Sequence, residues 1–121
     1  MKTDSAPLFT LTVLVATAAI QGSLEVTYKA KRVSETKDIE ARVAADKSGY
    51  AGFLREVVAD VKVTAINVEL RGLKADGSFA SLAEGLEELF DWPGVGGAMQ
   101  MRYYEGLWDA QEKNSARPAH G

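Results

Sequence analysis

One histidine and one group of acids are the side chains best suited to acid–base or metal chemistry in this chain. His120 is the only histidine, and it stands in the polar C-terminal stretch "NSARPAHG" without a second ligand or a carboxylate at a defined position beside it. A general base works only within hydrogen-bond reach of the proton that it takes. We therefore predict neither catalysis by His120 nor a metal bound through it.

Acidic side chains recur at helical spacing at Glu84, Glu87, Glu88 and Asp91. Carboxylates of this kind can bind a divalent cation or form an acid pair, but a metal site needs further ligands. No histidine and no second carboxylate cluster accompanies them in the sequence. The spacing therefore favours a solvated helix face, and we predict no metal, no cofactor and no enzymatic activity.

The glycine-rich segment "GVGGAM" at 94–99 superficially resembles a phosphate-binding loop. It lacks the Lys and the Ser or Thr that such a loop uses to hold phosphate and magnesium. It also follows a proline at a predicted helix start, where glycines allow neighbouring elements to approach closely. Close packing is the simpler interpretation of these glycines.

Large aromatic residues are concentrated in the C-terminal third, where they indicate either helix packing or a protein-binding surface. Together with the leucines of the preceding helix they supply more apolar area than contact with one small sheet usually requires. We predict that the two C-terminal helices engage a protein partner. The predicted surface consists of Leu82, Leu86, Leu89, Phe90, Trp92, Tyr103, Tyr104, Leu107 and Trp108.

The composition of the chain indicates one globular domain. Its 121 residues are 46% apolar and 26% charged, with no cysteine and a formal net charge of −3. The absence of cysteine excludes disulfide and thiolate chemistry. The negative net charge argues against a nucleic-acid partner, because such a partner is held mainly by basic side chains.

The stretch "PLFTLTVLVATAAIQGS" at 7–23 can be a secretion signal or a strand. Small residues near Ala19 suit a cleavage site, but the apolar side chains alternate in a strand pattern, with Phe9 and Val15 on one face. We favour the strand and predict that Phe9–Val15 pairs antiparallel with Leu24–Ala30 across a long loop, with Met1 and Lys2 retained. The apolar run is too short to span a bilayer, and no membrane partner is expected.

The middle of the chain changes its period from helical to alternating. Ser34 is a predicted N-cap for a helix over 35–45, and a second helical stripe follows within 51–61. From 61 to 70 the apolar residues alternate, which predicts a third strand with a bulge or bend at Ala65–Ile66.

The C-terminal third has clear helix boundary signals. Ser81 and Glu84 form a predicted capping box, and Pro93 suits the first turn of a last helix over 93–113. Residues 1–114 then form a single α+β domain, in which an N-terminal hairpin and a third strand pack with helices that include a C-terminal pair. Residues 115–121 form a predicted flexible tail.

The order of these elements resembles that of the tail assembly chaperones of long-tailed bacteriophages, prophages and gene-transfer particles. The segments that carry the resemblance are "FTLTV", "LEVTYKAKR", "VELRGLKADGSFA" and "LAEGLEELFDWPGVGGAMQMRYYEGL". A Leu-rich capped helix, the break at Trp92-Pro93-Gly94 and an aromatic last helix ending near Asn114 match the family pattern.

The resemblance implies a non-enzymatic protein of the host cell cytoplasm. It would hold the tape measure protein soluble and help to recruit tail tube subunits, without staying in the finished particle. Its oligomeric state, including a homo-oligomer, stays open. The alternative is a structural tail or head-tail connector component that is retained in the particle.

Overall fold

The computed structural model describes the backbone of residues 7–116 and the side chains of residues 7–107. Three strands form one antiparallel sheet in the order β1-β2-β3. The fold is α+β, with an N-terminal hairpin and a C-terminal helical pair, which confirms the predicted class. The elements in chain order are β1 (Leu8–Ala16), β2 (Gln21–Lys29), α1 (Val33–Asp46), α2 (Gly49–Val57), β3 (Val58–Ile66), α3 (Leu82–Phe90) and α4 (Val95–Ala116).

The hairpin of β1 and β2 is paired without interruption from Leu8 with Lys29 to Ala16 with Gln21. The antiparallel hairpin and the strand interpretation of this segment are confirmed, but Phe9–Val15 pairs with Gly22–Tyr28, two residues earlier than the predicted Leu24–Ala30. The connecting loop is shorter than expected, because Thr17 accepts the N–H of Ile20 on its side-chain oxygen at 3.1 Å and closes the turn. Met1 and Lys2 lie outside the described residues.

The third strand begins and ends earlier than its sequence pattern suggests. β3 runs from Val58 to Ile66 instead of over 61–70, and it ends where its partner ends, at the pairing of Gly22 with Ile66. Its register with β2 shifts at two points, because Thr64 is skipped between Ser23 and Leu24 and Ala59 is skipped between Thr27 and Tyr28. The predicted bulge is therefore present, one residue before the predicted position.

The start of α1 differs from the prediction. The N-cap is Arg32, and its backbone N–H donates to the Glu35 carboxylate at 2.9 Å. Ser34 is already inside the helix, so the prediction that Ser34 caps it is wrong. The Glu35 carboxylate pairs with the N–H of the cap residue itself, whereas the Ser34 hydroxyl was expected to accept an N–H of the first turn.

The C-terminal helices follow their signals closely. The side-chain oxygen of Ser81 accepts the N–H of Glu84 at 3.1 Å, which confirms Ser81 as the N-cap of α3. Among the described residues, the return bond from the Ser81 N–H to the Glu84 carboxylate, the other half of the predicted capping box, is not formed. α4 begins at Val95, two residues after Pro93, and extends to Ala116. Residues 115 and 116 of the predicted tail are thus helical, and 117–121 lie outside the described residues, together with His120.

The core lies between one face of the sheet and the helices. Residues at alternate positions of β1 face the helices, while Leu8, Thr10, Thr12 and Leu14 are exposed on the other face. The largest fully buried side chains come from the sheet, α2, α3 and α4, and they include Tyr28, Phe53, Leu89, Met99 and Tyr103. No helix among the described residues has the length and apolar character needed to cross a membrane.

Candidate protein-binding surfaces

Three members of the predicted partner surface belong to the core. Leu86 is 3% exposed, and Leu89 and Tyr103 are fully buried. They cannot contact a partner while the domain is folded, so they are removed from the predicted surface. Their apolar spacing marked them correctly as one face of a helix, and that face is the one turned toward the sheet.

Tyr103 is held at the centre of an aromatic cluster. Its ring lies 5.3 Å from that of Tyr28 and 5.5 Å from that of Phe53, measured between centroids. Its hydroxyl donates to the carbonyl of Lys29 at 3.3 Å. Burial raises the pKa of Tyr103 above its ordinary value, so the hydroxyl is a neutral structural group that joins α4 to the end of β2.

Other members of the predicted surface are accessible to different degrees. Leu82, Phe90, Trp92 and Leu107 are partly buried and pack against the core. Tyr104 is 37% exposed. The side chain of Trp108 lies outside the described part of the chain.

Tyr104 lies on the junction between α2 and α4. Its ring stacks on Phe53 with a centroid distance of 5.5 Å, and its hydroxyl donates to the carboxylate of Glu40 in α1. Burial and the adjacent carboxylate raise the pKa of Tyr104. One face of the ring is thus fixed by the protein while an edge remains open to solvent.

A second tyrosine on the same junction was not singled out from the sequence. Tyr50, at the start of α2, is 39% exposed and lies edge-on to Phe90 at 5.6 Å. Gly96 allows this arrangement, because a Cβ there would collide with the Tyr50 ring. We call Tyr50, Phe90 and Tyr104 the aromatic strip. The only sequence signal for Tyr50 is its position between Gly49 and Gly52. That position does not reveal that Gly96 of α4 lies against the ring.

Charged groups of both signs border the aromatic strip. Arg55 forms an ion pair with Glu87, and its guanidinium lies 5.9 Å from the centroid of the Phe90 ring. Glu40 lies at the other end, against Tyr104. Aromatic side chains are enriched at the centre of protein interfaces, and a polar rim commonly surrounds them.

The acidic group on α3 is only partly a solvated face. Glu84, Glu87 and Asp91 are exposed as expected, but Glu88 is 9% exposed. Its carboxylate accepts the backbone N–H of Arg71 at 3.0 Å and the Arg71 Nε at 2.9 Å. Glu88 therefore anchors the segment that precedes α3. Within the described residues, no group of three acidic or histidine side chains is placed to hold a metal ion.

The glycines at 94–97 serve mainly backbone geometry and packing. Gly94 has a φ of 83°, which is a left-handed conformation that favours glycine. Gly96 makes room for the Tyr50 ring, whereas Gly97 has no close neighbour. The predicted close packing is thus confirmed at Gly96.

A separate apolar surface lies along the outer edge of β1. Leu8 is 60% exposed and Leu14 74%, and Met101 of α4 is 66% exposed. Leu14 and Met101 line one groove with Arg102 and Glu105. We call Leu8, Leu14 and Met101 the edge surface. The sequence signal for the edge surface was the uncharged segment "LFTLTVLVA". Its alternation predicted the two faces of the strand, but it did not show that β1 is an edge strand of the sheet that the structure describes.

The chain was compared with protein-family models, with curated proteins and with solved structures, and no match was found in any of the three.

Proposed function

We propose that this protein is a non-enzymatic phage tail assembly chaperone of the host cell cytoplasm, which binds the tape measure protein and helps to recruit tail tube subunits. The element order supports this function through the family resemblance. The observation that carries the binding role is the aromatic strip, in which Tyr50 and Tyr104 expose more than a third of their surface at the junction between α2 and α4.

The aromatic strip suits an amphipathic helix as its ligand. Such a helix presents apolar anchors at intervals of three and four residues to an apolar groove. Rings that are already held by stacking, as Tyr104 is on Phe53, lose little conformational entropy on binding. A long helical tape measure protein offers many such segments, and shielding them is what keeps an apolar helix soluble.

The test is co-expression of the protein with the tape measure protein of the same particle. We expect Tyr50→Ala and Phe90→Ala each to weaken binding by about 2 kcal/mol, which is roughly thirtyfold in Kd. The measured quantities are the soluble fraction of the tape measure protein and the Kd for its fragments.

Val33→Ala is the matched control, because Val33 is 68% exposed and lies away from the strip at the start of α1. This variant should keep the partner soluble. Thermal melts of all variants separate lost binding from lost folding. The proposal fails if the strip variants fold normally and still solubilise the partner as the parent does.

A further inference from the structure

The outer edge of β1 presents a row of outward-pointing backbone N–H and C=O groups, of which the Thr12 carbonyl accepts a hydrogen bond from Arg102. The N–H of Ala30 donates to the carbonyl of Pro7 at 2.7 Å, and that of Thr17 to the carbonyl of Ile20 at 2.9 Å. These two bonds lie at the two ends of the hairpin. Because hydrogen-bonded and non-hydrogen-bonded pairs alternate along antiparallel strands, the odd-numbered residues of β1 form the hydrogen-bonded pairs with β2. The N–H and C=O groups of the even-numbered residues from Leu8 to Ala16 therefore point away from the sheet.

Within the described residues, the strand β1 itself carries none of the features that usually prevent strand addition. Edge strands are commonly protected by charges, prolines or bulges, but the sequence of β1 is "LFTLTVLVA" and its register with β2 has no shift. The opposite edge of the sheet differs, because the N–H of Val63 in β3 donates to the carbonyl of Gly77 at 2.8 Å. Among the described residues, the side-chain hydrogen bond to the outer edge of β1 comes from Arg102, whose Nε donates to the carbonyl of Thr12 at 3.0 Å.

We propose that two copies of this chain pair through β1, antiparallel and around a two-fold axis at Leu11, to form a continuous six-stranded sheet. In this register Leu8 lies opposite Leu14 of the partner subunit, and Thr10 lies opposite Thr12 of the partner subunit. Each exposed leucine then covers the other, twice per dimer. Cross-strand Thr–Thr pairs are favourable on one face of an antiparallel pair, and the paired leucines remove apolar surface from water.

The charges beside the edge are also self-complementary. Arg102 and Glu105 lie on the same turn of α4 and line one groove together with Thr12 and Leu14. A two-fold contact brings this pair to a second copy of itself, and the proposed dimer sets Arg102 of one copy against Glu105 of the partner subunit. Strand pairing takes over the Thr12 carbonyl and frees the Arg102 guanidinium for the Glu105 carboxylate of the partner subunit.

The self-complementary positions select a second copy as the occupant, since an unrelated strand would have to supply both leucines and both charges at matching positions. The edge surface shares no residue with the aromatic strip. The inference therefore stands whether or not the protein is a chaperone.

The first test is the mass of the purified protein in solution, measured by analytical ultracentrifugation up to about 100 µM, a range that also detects weak interfaces. The parent should be a dimer, and Leu14→Lys should raise the dimer Kd by at least about tenfold, because a charge on an edge strand opposes strand addition. Val33→Lys changes a similarly exposed apolar position and should leave the dimer Kd unchanged. A monomeric parent overturns the proposal, and so does a dimer that is indifferent to Leu14→Lys.

The second test fixes the register by disulfide cross-linking, for which the cysteine-free chain is well suited. A variant carrying both Leu8→Cys and Leu14→Cys should form a covalent dimer on mild oxidation, because hydrogen-bonded antiparallel pairs place Cα atoms about 5.5 Å apart. The two positions are roughly 20 Å apart within one strand, so they cannot bridge internally. The matched control carries Leu8→Cys and Thr12→Cys and should stay non-covalent. Equal cross-linking of both variants would contradict the register.

Discussion

Glu88 shows how a single buried carboxylate can order a segment without regular structure. The backbone N–H of Arg71 is its main partner, with the Arg71 side chain adding a second bond. Because these bonds favour the charged form, the pKa of Glu88 lies below its ordinary value of 4.5. A carboxylate whose pKa is lowered by folding stabilises the folded state at neutral pH, and that contribution is lost as the pH falls through its folded pKa.

The resulting prediction is a pH-dependent loss of stability. Glu88→Gln should lower the free energy of unfolding by roughly 1–2 kcal/mol at pH 7, a value reduced by the exposure of Arg71 to solvent. The difference from the parent should shrink in acid, below the ordinary pKa of the group. Denaturant titrations at pH 7 and at acid pH measure it, with the exposed Glu84→Gln as the control. An equal loss at both pH values would contradict the assignment.

Tyr28 joins the sheet to α4 through one buried hydrogen bond. Its hydroxyl donates to the carbonyl of Met99 at 2.8 Å, and burial raises the pKa of Tyr28 well above its ordinary value. Tyr28→Phe removes the donor, which should cost about 1 kcal/mol of unfolding free energy. The Met99 carbonyl lies inside α4 and keeps its hydrogen bond along the helix. Tyr50→Phe is the control, since the hydroxyl of Tyr50 is exposed. Similar losses of unfolding free energy in both variants would mean that the buried hydrogen bond of Tyr28 stabilises the fold no more than the exposed one of Tyr50.

At the scale of the element, the starts of α1 and α3 each contain a serine, and only one of the two caps its helix. Ser81 accepts the N–H of Glu84, whereas Ser34 lies inside α1 with Arg32 as the N-cap. Ser81→Ala should therefore cost about 1 kcal/mol in unfolding free energy, and Ser34→Ala should change it by less than about 0.5 kcal/mol. Thermal or denaturant melts of the two variants give the comparison. Indistinguishable values would show that the cap geometry does not determine the stability of these helices.

The hairpin was predictable because each of its strands has one buried face, which imprints an alternation on the sequence. The end of β3 was not predictable from the sequence. The apolar alternation continues to Leu70, but the pairing with β2 ends at Gly22 and Ile66. Leu70 is 7% exposed, and it packs onto the core from the loop. A local pattern reports which side chains are buried but not whether a neighbouring strand is present to pair with them.

The same limit applies to the binding surfaces of the whole molecule. The sequence identified the apolar residues of α3 and α4, but Leu86, Leu89 and Tyr103 cover the sheet. Tyr50 and Leu14 became candidates only because the fold leaves them uncovered. Which apolar residue remains exposed depends on the arrangement of all elements, and no short window of sequence contains that information.

The fate of the whole molecule separates the proposed chaperone from a retained structural component. A chaperone binds through a limited surface and leaves when the tail tube covers the tape measure protein, so purified particles should lack this chain while tail assembly still requires it. Mass spectrometry of purified particles, with the tail tube protein as the internal reference, measures its copy number relative to a true component. Deletion of the gene should abolish tails, and Tyr50→Ala combined with Phe90→Ala should reduce them if the aromatic strip holds the partner. Stoichiometric recovery of the chain in mature particles would instead favour the tail or connector component.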